Sequence, residues 1–124
     1  MNSLTDAARY VDNAREILSE KAKKEDGYYQ YKKYVKLAGH AAYSGVLVAL
    51  DELLGEKKKG RKSVEWYKQE LAGMDKKISS TFSIAYDTLH LAMGYDGNQD
   101  AEVANIGLKR AEQIIDWVKV KTQK

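Results

Sequence analysis

Apolar residues recur every three or four positions along almost the whole chain, and this spacing places side chains on one face of an α-helix. The first such stripe consists of Leu4, Ala7, Ala8, Val11, Ala14, Leu18 and Ala22. Ser3 is a suitable N-cap for it, and Asp6 suits the positive end of the helix dipole. We therefore predict a first helix from Ser3 to about Lys24. Asp26 and Gly27 then break the pattern.

The second predicted helix runs from Tyr28 to Leu54, and Gly55 offers a left-handed residue to end it. One broad face of this helix consists of Tyr31, Tyr34, Val35, Ala38, Ala41, Ala42, Gly45, Ala49 and Leu53. Because the residues around Gly45 are small, a neighbouring helix can approach closely there. We expect Gly45→Leu to overpack this crossing and to lower the free energy of unfolding by about 1–3 kcal/mol.

The other side of the second helix is apolar as well, from Leu37 onwards. The polar strip that remains is narrow and holds Lys33, His40, Ser44 and Asp51. A helix that is apolar nearly all round either lies at the centre of a bundle or presents a face to a partner. We therefore expect either an enclosed second helix in a monomer or a homodimer. The dimer would have twice the mass of one chain, insensitive to salt.

The third stripe follows Ser63, another N-cap, and consists of Val64, Tyr67, Leu71, Met74, Ile78, Phe82, Ala85, Leu89 and Ala92. Gly73 is a weak point at which we expect a kink or a short break. Gly94 and Gly97 end the element. The last predicted helix is capped around Asn98 to Asp100 and packs Val103, Ile106, Ala111, Ile114 and Val118.

These patterns predict an all-α protein, folded as an antiparallel up-and-down bundle of four helices, or of five if Gly73 breaks the third. No segment shows the two-residue alternation of a half-buried strand, so we expect no β-strand. The 124 residues suit a single domain, and 44% hydrophobic with 31% charged residues is a globular composition. The absence of proline favours helices, and the absence of cysteine excludes disulfides and thiolate sites.

The net charge of +3 is concentrated in one predicted loop. This loop contains Lys57, Lys58, Lys59, Arg61 and Lys62. Such a cluster attracts phosphate, although basic loops are more often solvated connectors. The sequence has no signal peptide and no apolar stretch long enough to span a bilayer, so we expect a cytoplasmic protein without a membrane segment.

The two histidines are the candidates for chemistry. Asp87 and His90 are three residues apart, which on a helix sets a carboxylate and an imidazole one turn apart, as in metal-binding bundles. One such pair does not complete a metal site, so we predict no metal, no other cofactor and no catalytic residue. His40, Ser44 and Asp51 have the residue types of a hydrolytic triad. On one straight helix, however, Asp51 lies about 16 Å from His40.

We predict instead a polar seam that consists of His40, Ser44, Asp87 and His90. In this seam His40 would hydrogen-bond a residue of an adjacent helix, in the region of His90. For Asp87 and His90, a surface ion pair is the expected role.

Residues 27–36 read GYYQYKKYVK, with tyrosines interleaved with lysines. Aromatic rings and ammonium groups together can stack bases and neutralise phosphates. Tyr28, Tyr31 and Tyr34 follow the core stripe while the lysines lie off it, so we interpret the segment as part of an amphipathic helix. Nucleic-acid contact is the less favoured alternative.

Two segments carry a resemblance to known proteins: KLAGHAAYSGVLVALDELL at residues 36–54 and AYDTLHLAMGYDG at residues 85–97. They resemble an uncharacterised family of small helical-bundle proteins from Bacteroidetes-type bacteria over nearly the whole chain. More distantly, the chain resembles the HEPN class of helical bundles, whose members are toxin RNases or partner subunits of nucleotidyltransferases. HEPN RNases carry an arginine about four to six residues before a histidine. No arginine here precedes His40 or His90 at that distance, so the resemblance implies the fold without RNase activity.

Two functional hypotheses follow. The leading one is a non-enzymatic bundle that binds a partner protein or dimerises through aromatic and small-residue surface. The alternative is a HEPN-like nucleic-acid or nucleotide-associated partner subunit that uses the basic loop and the tyrosine-lysine segment. Phosphate binding weakens steeply as salt rises, whereas an apolar interface does not, so salt dependence separates the two.

Overall fold

The computed structural model describes residues 3–55 and 60–123. These residues form α1 (Ser3–Glu20), β1 (Lys24–Glu25), β2 (Tyr28–Tyr29), α2 (Lys32–Leu54), α3 (Val64–Met74), α4 (Lys76–Ala85), a π-helix (Tyr86–Tyr95) and α5 (Ala101–Thr122). The predicted all-α class is confirmed, with five α-helices in the described ranges. Within the same ranges, no helix combines the length and apolar character needed to cross a membrane.

A β-hairpin joins α1 to α2, so the prediction that no strand would be present is wrong. Its two strands, β1 and β2, pair antiparallel. Asp26 and Gly27 form the turn with positive φ values of 52° and 84°. Two positive φ values are characteristic of the type I′ turn, which the dipeptide Asp-Gly favours. The hairpin thus contains residues that hydrophobic spacing alone assigns to the end of the first helix and the start of the second.

The hairpin shortens both neighbouring helices. α1 ends at Glu20, four residues before its predicted end, and α2 begins at Lys32, four residues after its predicted start. Distant residues hold the hairpin in place: the Tyr29 N–H donates to the carbonyl of Gln99 at 2.8 Å. The Gln99 side chain donates back to the Tyr29 carbonyl at 2.8 Å. These bonds join residues far apart in sequence and leave no local periodic signal.

The third predicted helix is broken at Asp75, two residues after Gly73. Asp75 is extended, with φ −164° and ψ 110°. Its carboxylate accepts hydrogen bonds from the N–H groups of Lys77 and Ile78, at 2.9 and 3.3 Å. The expected break is therefore confirmed, but a capping carboxylate rather than the glycine fixes its position. Met74, expected in the core stripe, is exposed at the end of α3.

α5 begins at the predicted cap. The Asp100 carboxylate accepts a hydrogen bond from the Glu102 N–H at 2.9 Å. Most of the predicted core residues of this helix are buried or half-buried, whereas Ile106 is exposed. The neighbouring Gly107 takes the inward position instead, since a Cβ atom there would lie 2.7 Å from Thr88 Oγ1.

α2 lies at the centre of the bundle, in contact with α1, α5 and the π-helix. Its buried residues are Val35, Ala38, Gly39, Ala42, Tyr43, Gly45, Val46, Ala49 and Leu50. They share one hydrophobic core with large buried side chains from the other helices, among them Leu71, Phe82 and Leu89. α2 is nevertheless not enclosed on all sides, because Leu37 remains exposed on its outer face.

Two glycines let α2 approach its neighbours closely. A Cβ atom on Gly45 would lie 2.7 Å from the carbonyl oxygen of Ala7. The predicted close crossing at Gly45 is therefore confirmed, with α1 as the partner. A Cβ atom on Gly39 would lie 2.5 Å from the Leu89 carbonyl oxygen and 2.8 Å from the Gly94 nitrogen. This second crossing, between α2 and the π-helix, was not predicted.

The π-helix is held between α2 and α5, where Gly39 and Gly107 face it. A π-helix closes hydrogen bonds from residue i to residue i+5, so it is wider than an α-helix and is mostly found as a single-turn bulge. Here it continues over ten residues, from Tyr86 to Tyr95. The two glycines leave room on either side for this wider helix.

Candidate functional site

The structure brings the two histidines together at the crossing of α2 and the π-helix. His40 is exposed on α2, and the centroid of its ring lies 6.1 Å from that of His90, with the rings edge to face. Gly94 makes this approach possible, because a Cβ atom there would lie 2.9 Å from His40 Cε1. The expectation that His40 hydrogen-bonds a neighbouring helix is wrong for the described residues. Ring contact takes the place of the hydrogen bond.

His90 lies among aromatic rings. It stacks on Tyr86 at a centroid distance of 5.2 Å and lies 4.9 Å from Tyr43. Burial, and secondarily the nearby His40, lowers the pKa of His90. Its Nδ1 atom is buried and has no hydrogen-bond partner among residues 3–55 and 60–123. The ring is therefore neutral at pH 7 and packs mainly as an aromatic group.

Two tyrosines flank His90 in this cluster: Tyr43 is buried in the core, and Tyr86 is half-buried towards the surface. Burial, and secondarily Tyr86, raises the pKa of Tyr43, so its phenol stays protonated. On the outer side, Lys68 Nζ lies 5.8 Å from the centroid of the Tyr86 ring. His90 is thus surrounded by aromatic rings, with one cation, Lys68, at the edge of the cluster. These ring and cation–π contacts stabilise the packing between α2, α3 and the π-helix.

The other two residues of the predicted polar seam, Ser44 and Asp87, are exposed and do not join the histidine pair. In the part of the chain that the structure describes, Asp87 forms no ion pair with His90, so that expected contact is wrong. The reason is the π-helix, whose wider turn brings residues i and i+4 together, here Tyr86 and His90, rather than i and i+3. Over the described ranges there is also no group of three or more potential metal ligands.

The carboxylate of Asp51 lies at the contact between α2 and α3. Its Oδ1 accepts a hydrogen bond from the Tyr67 hydroxyl at 2.7 Å and another from Lys62 Nζ at 3.0 Å. Burial, and secondarily the hydrogen bond to Asp51, raises the pKa of Tyr67. Asp51 therefore fastens α3 to the end of α2 and takes no part in a triad with His40.

The predicted phosphate-contact loop is only partly within the described residues. Lys57, Lys58 and Lys59 lie outside them. Arg61 is exposed, whereas Lys62 combines its ion pair to Asp51 with a position 5.5 Å from the Trp66 ring centroid. The Lys62 ammonium is thus engaged within the chain, and its role in binding phosphate stays a prediction.

The tyrosine-lysine segment does not form one amphipathic face. Tyr28 lies on β2 and Tyr31 precedes α2, and both side chains are exposed. The expectation that they follow the core stripe is wrong, because the hairpin turns this part of the chain out of the helical phase. Tyr34 is half-buried, and its ring is approached by Lys33 Nζ at 5.0 Å and Lys21 Nζ at 5.9 Å.

The outer face of α2 carries a row of residues that sequence reasoning identified only in part. We call it the outer stripe, and it consists of Lys33, Leu37, Ala41, Ser44, Val48 and Glu52. Successive members are three or four residues apart, so they share one helix face. The Leu37 side chain is 52% exposed, and Val48 is half-buried. A small groove of about 440 Å³ runs beside Val48 and is lined by Tyr10 of α1.

The charges of α2 are arranged against its own dipole. The first turn carries Lys32 and Lys33 and no acidic residue, and the last turn carries Asp51 and Glu52 and no basic residue. A helix dipole favours the opposite order, by about 0.3–1 kcal/mol for each exposed charge. α5 follows the favourable order, with Glu102 in its first turn and lysines in its last. The order in α2 therefore lowers the stability of the isolated helix.

A family model described as a domain of unknown function (DUF5618) matches residues 2–120. Among solved structures, a protein of unknown function from Dyadobacter fermentans is similar, at 58% sequence identity and a TM-score of 0.93. That match covers 96% of this chain and 95% of the other. No curated protein matches.

These matches bear on the two resemblances found in the sequence. The expected relation to a Bacteroidetes family of helical bundles is confirmed, since Dyadobacter belongs to that group. The relation to HEPN bundles stays a prediction. Because the family model spans nearly all of the sequence, the chain belongs to the DUF5618 family.

Proposed function

We propose that this chain is a non-enzymatic protein-interaction module of the cytoplasm and that the outer stripe of α2 is its binding face. The observation that carries the proposal is the exposure of Leu37. Its side chain is 52% exposed on the helix that otherwise forms the centre of the core. A leucine at such a position contributes more to a contact with another protein than to the isolated chain.

The arrangement of the outer stripe supports this proposal. Steps of three and four residues are the spacing with which one helix packs along another. The two central members, Ala41 and Ser44, are small, so a partner helix can come close at the middle of the stripe. Tyr10 of α1 is exposed beside it, and tyrosine is enriched at protein interfaces.

Two of the polar side chains that could serve catalysis, Asp51 and His90, are engaged in contacts within the described part of the chain. Asp51 accepts hydrogen bonds from Tyr67 and Lys62, and the ring of His90 stacks on Tyr86 and contacts Tyr43. These contacts join α2 to α3 and to the π-helix. They support a structural role for Asp51 and His90, which hold the neighbouring helices against α2. The functional residues of the proposal are accordingly on the outer face of α2 and not at the histidines.

Photo-crosslinking in the cells that make the protein tests the proposal. Benzoylphenylalanine is placed at Glu52, exposed at the end of the outer stripe, and as a control at Gln113, exposed on α5. We expect a covalent protein adduct from position 52 and little from position 113. Equal yields from the two positions, or no adduct from position 52, would overturn the proposal.

A second pair of variants separates binding from folding. Leu37→Glu places a charge on the outer stripe, while Tyr28→Glu places one on the hairpin, at a side chain that is 55% exposed. We expect Leu37→Glu to remove most of the adduct formed at position 52, and Tyr28→Glu to leave it unchanged. Far-ultraviolet circular dichroism checks that both variants remain helical.

A further inference from the structure

We infer that the partner on the outer stripe of α2 is a second copy of this chain, bound antiparallel about a two-fold axis. The inference rests on the proposed function and adds the identity of the partner and the register of the contact. Its basis is a symmetry in the stripe itself. Residues that attract or complement one another lie at equal distances on either side of one point, between Ala42 and Tyr43.

The charged ends of the outer stripe show this symmetry. Lys33 and Glu52 are both exposed, have opposite charges and are equally far from that central point. They are about 28 Å apart along the helix. In an antiparallel pair, Lys33 faces the partner's Glu52, and Glu52 faces the partner's Lys33. A parallel pair would instead place Lys33 on the partner's Lys33, so like charges oppose that alternative.

The apolar members follow the same symmetry. Leu37 and Val48 are equally far from the centre, as are Ala41 and Ser44. Leu37 of one protomer would therefore lie on the partner's Val48, and the reverse contact would occur on the other side of the axis. Each pair forms twice, as an isologous two-fold interface requires. The small central residues allow the two α2 backbones to come close where they cross.

The residues beside the two ends of the outer stripe differ in charge. Near Lys33, Lys21 brings a second cation, and the two Nζ atoms approach the Tyr34 ring from 5.9 and 5.0 Å. Beside Val48, the groove is lined by one acidic and one basic residue of α1, Asp6 and Arg9. The charge symmetry of the inferred contact therefore rests on Lys33 and Glu52 of α2.

Antiparallel pairing also explains the unfavourable charge order of α2. Its first turn lacks an acidic residue and its last turn lacks a basic one. The second copy would bring the partner's Glu52 to the N-terminal end of α2 and the partner's Lys33 to its C-terminal end. These are the charges that the helix dipole favours at each end. The pairing thus adds a favourable charge at each end of α2, at the C-terminal end beside Lys62, which already pairs with Asp51.

A charge-exchange experiment with the purified full chain tests the inference. Lys33→Glu and Glu52→Lys each replace two attractive pairs with two repulsive ones in a symmetric dimer. An equimolar mixture of the two variants restores two attractive pairs in a mixed dimer. Lys109→Glu and Asp116→Lys, both on exposed positions of α5, are the matched controls. Light scattering at micromolar concentration gives the oligomeric mass. A 15N label on one variant gives the mixed dimer a mass between those of the two symmetric dimers, which native mass spectrometry resolves.

We expect the unchanged chain and both controls to have twice the mass of one chain. Each single variant should raise the dissociation constant at least about tenfold, and mixing should restore the dimer as one copy of each. An unchanged chain with the mass of a monomer would overturn the inference. Single variants whose dissociation constant is unchanged, or a mixture that associates no more tightly than either variant alone, would also overturn it. A different protein crosslinked at position 52 would refute the second copy and leave the proposed function in place.

Discussion

α2 crosses α1 at Gly45 and the π-helix at Gly39, and the two crossings are built differently. At Gly45, one backbone atom, the Ala7 oxygen, lies closer than 3 Å to the place where a Cβ atom would stand. At Gly39, two backbone atoms and the Cβ of Met93 lie closer than 3 Å. The crossing with α1 thus brings one main-chain atom against the place of an added Cβ atom, whereas the crossing with the π-helix brings two main-chain atoms and a Cβ atom against it.

The difference shows what each crossing positions. The Gly45 crossing fixes the distance between two amphipathic helices and leaves the outer stripe of α2 open to solvent. The Gly39 crossing fits α2 against a wide helix and sets His40 and His90 side by side. π-helical turns are frequent at functional sites. In this protein the π-helix supports the packing of an aromatic cluster, and the surface proposed for binding lies on the outer face of α2.

Replacing Gly39 should have the largest effect of the changes that test this comparison. Gly39→Ala introduces a Cβ atom 2.5 Å from the Leu89 carbonyl oxygen and 2.8 Å from the Gly94 nitrogen. Because backbone cannot move aside as a side chain can, we expect a loss of about 2–3 kcal/mol in the free energy of unfolding. Urea unfolding measures it. A loss below that of Gly45→Ala would contradict the ranking.

Gly45→Ala should be milder, at about 1–2 kcal/mol. The added methyl group meets one carbonyl oxygen at 2.7 Å, while the next atom, Tyr10 Cβ, lies at 3.0 Å and belongs to an exposed side chain. Gly45→Leu adds more bulk at the same place and should cost up to about 3 kcal/mol. The free energies of unfolding of both variants in urea show whether α1 shifts away from α2 to make room for the added side chain. An unchanged midpoint for Gly45→Leu would mean that α1 can move away.

The sequence predicts the Gly45 crossing but not the Gly39 crossing, and the reason is physical. Small residues four apart mark a close approach between two regular helices, and Ala41, Gly45 and Ala49 have this spacing. The π-helix keeps apolar residues at steps that an α-helix also allows, such as Leu89 and Met93. Its wider turn is selected by the helices packed against it, so hydrophobic spacing does not reveal it.

The other differences from the sequence predictions fall into two kinds. The hairpin has a local signal, since the dipeptide Asp26-Gly27 favours a two-residue hairpin turn, and hydrophobic spacing alone missed it. The exposure of Leu37 has no local signal, because α2 is apolar on both sides. Which side stays open depends on where α1, α5 and the π-helix pack. The histidine contact lies between these two kinds. Both histidines are evident in the sequence, but the expected ion pair between Asp87 and His90 assumed the turn of an α-helix, and the segment is a π-helix.

Gly73→Ala should change stability in the opposite direction. Gly73 lies in α3, and no atom from elsewhere in the described structure lies within 4 Å of an added Cβ. Alanine in a helix is favoured over glycine by about 0.5–1 kcal/mol. We therefore expect a gain of that size in urea unfolding. The variant is also the control for the two crossings, since it adds the same methyl group where nothing meets it.

The smallest effect that we expect is a pH dependence that distinguishes the Gly39 crossing from the Gly45 crossing. Burial, and secondarily His40, lowers the pKa of His90 below its ordinary value of 6.5. As the pH falls through 6.5, the unfolded chain therefore takes up a proton that the folded chain still excludes. The contribution of His90 to stability is fully present above pH 6.5 and is lost progressively below it, down to the pKa of the folded state.

Unfolding in urea at about pH 8 and about pH 5.5 measures this loss. His90→Leu removes the titrating group, so its midpoint should fall less than that of the unchanged chain over the same interval. His40→Gln removes the secondary cause and should reduce the difference only in part. Because the carboxylates are common to all three proteins, their titration cancels in the comparison. If the urea midpoints of the unchanged chain and of His90→Leu fell by the same amount between the two pH values, the folded protein would accept a charged imidazole at the π-helix crossing as readily as water does.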